Sequence, residues 1–370
     1  MEKFKSTKDT ESLIIAITGS AGKTTTKEMI ASILKRRGRI FKTRYNLNLY
    51  EHTAIYAEHI KPIHYAAVLE YAVQDPGDIV KHCQAIQPHI GVITNIGSAH
   101  IGRFGGSVSE LAKAKGELIK GIDPNGMLVL NVDDKRSKLL QTNTFRGKII
   151  SVGITNSADY RAYNIQYNDK GMSFEIKIDA GKQIFQIPIY GTHNIYNALS
   201  AIAVSHHLGF TIEEMKNGLK TFKRPHRRLT VHSLPQGIRL IDDSFSSNPH
   251  ALKAAIDVLN HIGNNHKVAV LGSMMELGNY SVAGHREVGE YLKMKGIDYI
   301  YTYGAEAVEI GKGAIASGFS PNKIIHFSTK DELHRYLVNH IQPGTTILIK
   351  GSHALSMDQT VDFLRRSFKV

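Results

Sequence analysis

The segment Gly19-Ser20-Ala21-Gly22-Lys23-Thr24-Thr25 sets two glycines, a lysine and a row of hydroxyls directly after the apolar run Ile14-Ile15-Ala16-Ile17. Those residue types in that order suit a triphosphate. Glycines let a loop bend until its N–H groups point inward, and a following helix aims the positive end of its dipole at the anion. Lys23 adds a mobile positive charge, and Thr24 carries the hydroxyl that holds Mg²⁺ in phosphate loops generally. Gly19, Ser20, Ala21, Gly22, Lys23, Thr24 and Thr25 are therefore the candidate nucleotide-binding residues. The full Gly-x4-Gly-Lys-Ser/Thr pattern is not met, since Ile17 stands at the first glycine position.

A cradle of this kind needs a strand to deliver it and a helix to receive it. Thr24 to Arg37 reads as that helix, ended by Gly38. Short apolar runs follow at Tyr65–Leu69, Ile90–Thr94 and Met127–Val132, with helical stretches near Gly77–Ile86 and Val108–Lys120. Alternating strands and helices predict α/β layers around a mainly parallel sheet. Ligands of such sheets sit beyond the carboxyl ends of the strands, where this chain has Glu70, Asn95 to His100, Asn131 and Asp133.

From Tyr160 to Ile189 the period changes to two, with turn signals at Asn168–Gly171 and Asp179–Lys182, which predicts a small antiparallel meander. Helices are expected at His193–His207 and Thr211–Thr221. Past Arg228 a second, Rossmann-like α/β unit is expected, with strands at Leu240–Asp242, Lys267–Leu271, Tyr299–Tyr303, Ile324–Phe327 and Thr346–Lys350. The domain expectation is thus 1–228 for a central ATP-binding unit and 229–370 for a C-terminal one, in keeping with a chain of 370 residues.

Bulk properties narrow the partners. No apolar run approaches the roughly 20 residues that cross a bilayer. The opening Met1–Lys8 is charged and lacks the apolar core of a signal peptide. Cys83 is the single cysteine, which excludes an internal disulfide and any cysteine-based metal site and fits a reducing, cytoplasmic setting. The formal charge of +13 asks for an anionic partner or a solvated basic surface. Its Lys and Arg residues are spread along the chain, without a basic tail or a basic-aromatic stripe. A nucleotide or acidic small substrate is expected rather than nucleic acid.

Several spaced segments, in order, resemble the Mur ligases: TGSAGKTTTKEM, LEYAVQDPGDI, NIGSAHI, AKAKGELI, GTHNIYNALSAIA and IDDSFSSNPHALKAAI. LGSMMELGNYSVAGHREVG and ILIKGSHALSMD resemble the D-alanyl-D-alanine-adding branch of that family. The resemblance runs from about Ile14 to the C-terminus. It implies an ATP- and Mg²⁺-dependent ligase in which a carboxylate captures the γ-phosphoryl group and an amine displaces phosphate from the acyl phosphate.

Residue by residue, the resemblance implies that Glu70 and His100 help hold metal with Thr24, and that Lys115 becomes carbamylated. Lys113 is a neighbour with which Lys115 is easily confused. Asn194 and Asn197 would lie near adenine, one helical turn apart on a shared face, although Asn194 also suits a helix cap. Arg228 would reach the phosphates, with Arg227 beside it as the alternative, and Asp243 would touch ribose. Lys23, His100, Lys115 and Arg228 are thus the catalytic candidates. Asn46, Asn48, Asn248, Lys350 and Ser352 are the substrate candidates, Lys350 and Ser352 facing the incoming amine; Asn248-Pro249 also reads as a helix cap and first turn.

Departures from the family's pattern point to an unusual acceptor. Only Met1 to Leu13 precede the cradle, where typical members carry a domain for the uridine nucleotide. Leu49 and His52 replace an asparagine and a glycine; in the C-terminal unit Ser273 and His353 replace an aspartate and an arginine, which weakens the case for the usual dipeptide as the amine donor. Three readings follow: a ligase with a different carboxylate acceptor, a peptidoglycan precursor ligase whose acceptor domain is supplied by a partner chain, or a non-catalytic nucleotide-binding partner protein. Joint retention of Lys23, Thr24, Glu70, His100 and Lys115 favours an enzyme.

Overall fold

A computed structural model describes residues 12–179 and 181–368. The charged opening Met1–Lys8 and Ala180, within the second expected meander turn, lie outside the described residues. The chain folds as two compact units. The first comprises the chain to Gly97, Ser107–Pro188 and Thr192–Arg224; the second comprises Ser98–Gly106, Ile189–Gly191 and the chain from Pro225.

In the first unit, β1 (Leu13–Thr18) leads into α1 (Lys23–Leu34), β2 (Arg39–Lys42), α2 (Tyr50–His59) and β3 (His64–Glu70). Then come α3 (Asp78–Ala85), β4 (Ile90–Ile93), α4 (Val108–Gly121), β5 (Met127–Asn131) and β6 (Lys148–Gly153). The meander is β7 (Tyr160–Asn168), β8 (Gly171–Ile178) and β9 (Gly181–Ile187), followed by α5 (Thr192–His207) and α6 (Ile212–Thr221). The nine strands run in the order β2-β3-β1-β4-β5-β6-β7-β8-β9. The pairs from β2 to β7 are parallel, and β7-β8-β9 are antiparallel.

The central strands are apolar throughout because helices cover both faces of a parallel sheet. Ile15, Ile17, Val68, Leu69, Val92 and Leu128 are fully buried. β1 has β3 on one side and β4 on the other, so the strand order reverses there, and such a switch point opens a crevice at the strand ends. The register Ile17 to Glu70 places that carboxylate beside the strand end that delivers the glycine loop.

The second unit has β10 (Thr230–Ser233), β11 (Arg239–Asp242), α7 (Pro249–Ile262), β12 (His266–Gly272), α8 (Ser281–Met294), β13 (Tyr299–Tyr303), α9 (Val308–Ala316), β14 (Ile324–Phe327), α10 (Lys330–His340), β15 (Thr345–Lys350) and α11 (Asp358–Ser367). Its strand order is β10-β11-β15-β12-β13-β14, parallel except for the antiparallel edge strand β10. Leu240, Val270, Ile347, Ile349, Met357 and Leu364 lie in one continuous core.

The expected strands and helices are present with ends shifted by a few residues; α1 stops at Leu34, and Arg36 and Arg37 close in tighter turns. The strands β2, β6 and β10 and the helix α2 are additions to what the sequence predicts. Of α2 only Thr53 and Tyr56 are buried, too narrow a stripe to print an apolar period. Among the described residues no helix is long and apolar enough to cross a membrane.

α2 and α3 are tied to the end of β3 through one buried imidazole. His82 Nε2 lies 3.1 Å from the Ala72 carbonyl, so it carries the proton, and Nδ1 accepts from the Thr53 hydroxyl at 2.7 Å. The ring stacks on Tyr71 with centroids 4.5 Å apart. Burial pushes its pKa down to about 4. The unfolded chain therefore takes up the proton first as pH falls, and the stability His82 contributes above about 6.5 is lost between there and about 4. The melting temperature of a His82→Gln variant should lie furthest below that of the unsubstituted protein near neutral pH, and the gap should narrow toward pH 4. A gap independent of pH would contradict the assignment.

Candidate active site

The loop after β1 is closed too tightly for side chains at its glycines. Gly19 has φ 142° and Gly22 has φ 86°, left-handed conformations that L side chains rarely adopt. A β-carbon on Gly19 would stand 1.9 Å from Thr94 Oγ1, and one on Gly22 would stand 2.5 Å from Asn197 Oδ1. Gly22 enters α1 without a side-chain cap, leaving first-turn N–H groups for an anion. Lys23 arches back and donates from Nζ to the Gly19 carbonyl at 2.7 Å.

Thr94 and Asn95, just beyond β4, staple this loop. Ser20 N donates to Asn95 O at 3.0 Å, and Ala21 N donates to Asn95 Oδ1 at 3.1 Å. The Ala21 carbonyl accepts from Thr94 Oγ1 at 2.6 Å and from Asn95 Nδ2 at 3.1 Å. Ser20 Oγ accepts from Gly97 N at 2.8 Å. Only the position of Asn95 at a strand end hinted at this.

Glu70 ends β3 with its side chain buried at 1% exposure. Its Oε2 accepts from Thr24 Oγ1 at 3.2 Å and from Asn48 Nδ2 at 3.1 Å, while Oε1 pairs with Lys27 Nζ at 3.0 Å. Its backbone N–H donates to Thr43 Oγ1 at 2.9 Å. A hydroxyl and a carboxylate oxygen converging on one spot form the hard-oxygen donor set that suits Mg²⁺, so Thr24 and Glu70 fit that ion. Among the described residues no three His, Cys, Asp or Glu side chains gather as a metal cluster. His100 falls in the second unit, where its Nδ1 engages Glu276 and Gly102 N donates to Glu276 O at 3.2 Å. Asn46 is exposed, and its carbonyl accepts from Asn48 N at 2.9 Å.

The structure separates the two neighbouring lysines of α4. Lys113 is exposed and pairs with Glu110 at 2.6 Å. Lys115 is buried at 1% exposure, and burial, helped by the positive charge of Lys23, holds its amine well below the ordinary lysine range. A neutral lysine amine is a nucleophile.

Asn194 sits inside α5, not at its cap, and accepts at Oδ1 from Asn197 Nδ2 at 2.9 Å. Asn197 Oδ1 accepts from Thr26 Oγ1 at 3.1 Å, which fastens α5 to the helix carrying Lys23 and Thr24. Thr25 is buried beside Thr26. Asp133, at the end of β5, accepts from the Tyr196 hydroxyl at 2.8 Å and from Ile154, Thr155 and Asn156 N–H groups. Burial alone would raise its pKa, but these donors outweigh it and hold the carboxyl low.

The second unit also gathers polar side chains at its strand ends. Arg228 Nη1 donates to Ser246 Oγ at 2.7 Å, and the guanidinium lies 4.5 Å over the Phe245 ring. Arg227 is set apart by its pair with Asp358 at 2.5 Å. Asp243 and Lys350, expected at ribose and at the amine, hold each other at 2.6 Å; Lys350 also donates to Ser246 O at 2.7 Å. Burial lowers the Lys350 pKa, and Asp243 only partly restores it. Asn248 caps α7 by accepting from Ala251 N at 2.9 Å, with Pro249 in the first turn. Ser352 Oγ accepts from Met275 N at 2.8 Å. Lys350, Asn248 and Ser352 thus hold the loops at these strand ends.

Comparisons with known proteins agree on one family. The Mur ligase middle domain matches residues 17–205, and the Mur ligase glutamate ligase domain matches residues 227–353. UDP-N-acetylmuramoyl-tripeptide–D-alanyl-D-alanine ligase of Escherichia coli K12 is 34% identical over 358 residues, 96% of this chain and 77% of that protein. A crystal structure of MurF from Acinetobacter baumannii superposes with a TM-score of 0.88 at 30% identity, covering 96% of this chain and 76% of that one. MurF ligase from Thermotoga maritima in complex with ADP gives 0.83 at 25% identity, covering 96% and 80%.

Gly22→Ala should raise the ADP concentration for half-maximal thermal stabilisation about tenfold or more, because both the φ and the space forbid the methyl group. An unchanged titration would show that the loop tolerates it.

Proposed function

Because this chain belongs to the Mur ligase family and is an ATP-dependent ligase, we propose that it joins a carboxylate acceptor to the amine of an amino acid or peptide through an acyl phosphate. The observation that carries this reading is the convergence of a glycine cradle, Lys23, the Thr24–Glu70 oxygen pair and a buried Lys115 in one unit. A carboxylate and a γ-phosphate repel each other, so a site that joins them must supply compensating positive charge. Lys23 supplies it directly over the loop. Thr24 and Glu70 would hold Mg²⁺, whose role is to offset the same repulsion.

The chemistry is then a pair of displacements. The acceptor oxygen bonds to the γ-phosphorus as the bond to the ADP oxygen breaks. The amine bonds to the acyl carbon, loses a proton and expels inorganic phosphate. Lys115 is read as the carbamylated lysine: its neutral amine adds CO₂ and releases a proton, converting a buried neutral group into an anion near Lys23. Arg228 is read as a phosphate contact, and Asn194 and Asn197 as the nucleoside side of the cradle.

The relatives' names give D-alanyl-D-alanine as the amine component they add. Here Ser273, where the family commonly has aspartate, is fully buried and accepts from Ala307 N at 3.1 Å. The proposed amine is therefore the wider class of amino acids and peptides rather than that dipeptide alone. Leu49 and His52 beside Asn48 likewise favour an acceptor other than the family's usual one.

Incubation with ATP, Mg²⁺ and pooled acids and amines should release phosphate only when both components are present, with a condensed product in the mass spectrum. Turnover without any amine would contradict the ligase reading. Lys23→Ala should lower phosphate release about 100-fold or more. Lys115→Ala should lower it sharply and regain part of the loss with added short-chain carboxylic acids; full activity in Lys115→Ala would remove its assigned role.

A further inference from the structure

We propose that Lys27 is a positioning residue that makes cation binding at Thr24 and Glu70 conditional on the nucleotide. Lys27 lies three residues beyond Thr24 on α1, and its ammonium is buried at 1% exposure. It donates to the Thr43 carbonyl at 2.8 Å and stands 3.0 Å from Glu70 Oε1 and 3.4 Å from Glu28 Oε1. Glu28 also pairs with Lys42. Two acids and two lysines thus form a balanced chain running from Glu70 to the half-exposed Lys42.

The consequence is electrostatic. Oε2 of Glu70 faces Thr24 and Asn48, but the charge of the carboxylate is already matched at Oε1 by Lys27. A divalent ion arriving alone would meet a neutral cluster with Lys23 close by, and its lost hydration would not be repaid. Nucleotide phosphates supply the missing negative charge. The ion is therefore retained with nucleotide and released without it, and Lys27 fixes which carboxylate oxygen faces the ion. A purely structural salt bridge between α1 and β3 would instead affect stability and leave ion affinity unchanged.

This inference rests on reading Thr24 and Glu70 as cation ligands. Mn²⁺ binding to the full chain, followed by electron paramagnetic resonance with and without ADP, tests both and tells them apart. The unsubstituted protein should bind Mn²⁺ at least tenfold more weakly without ADP than with it. Lys27→Met should tighten nucleotide-free binding about tenfold or more, and Lys27→Arg, which keeps the charge, should not. Tight Mn²⁺ binding by the unsubstituted protein without ADP would overturn the proposal, and that measurement requires no variant to fold. So would a folded Lys27→Met protein with unchanged affinity. If Glu70→Gln leaves Mn²⁺ binding with ADP intact, the cation-site reading itself fails and the proposal falls with it.

Discussion

Burying a carboxylate as deeply as Glu70 is costly unless polar and charged partners reach it from several directions, and much of the first unit is arranged around supplying them. Helix α1 brings Thr24 and Lys27 to its two oxygens, the Asn46–Tyr50 segment brings Asn48, and β2 leads into Thr43, which holds its backbone. Removing any one partner would leave a buried charge or donor unmatched. The loop geometry follows from the same packing. Glu70 is fixed beside the end of β1 by strand register, so the glycine turn that leaves β1 must close tightly between Thr94 on one side and Asn197 on the other.

The two units use a similar device on different sheets. Each has parallel strands whose order reverses, and each collects polar groups where the carboxyl ends separate. In the first unit those groups form a cradle stapled by Asn95. In the second they form the Lys350–Asp243 pair, which also grips Ser246, the partner of Arg228. Paired charges of this kind cost desolvation and are weak evidence of stability, but they fix loop positions. A ligase that must hold two reacting groups in register gains more from fixed loops than from a small increment in stability.

The parts legible in the sequence are those with local signatures. The phosphate loop announces itself through Gly19, Gly22 and Lys23, and the meander through its period of two. Both are properties of a few consecutive residues. Helix α2 is not legible, because its buried face is only Thr53 and Tyr56 and its attachment runs through His82, far along the chain. Lys27 is hidden for a similar reason: a lysine on a surface-like pattern becomes a buried cation only once β3 delivers Glu70 beside it. Lys350, which the resemblance places toward substrate, pairs with Asp243 across a long sequence separation, a contact that no local pattern marks. Lys113 and Lys115 differ by two positions and by almost everything else, which helix phase decides and composition does not.

We propose that Thr24 and Glu70 share a divalent cation with a nucleotide held over the Gly19–Lys23 loop. A crystal grown with Mn²⁺ and a non-hydrolysable ATP analogue, examined by anomalous scattering, addresses it directly. The expected result is a peak within coordination distance, about 2.1 Å, of Thr24 Oγ1, Glu70 Oε2 and the analogue's terminal phosphates. A peak remote from both side chains, with the triphosphate outside the loop, would contradict it.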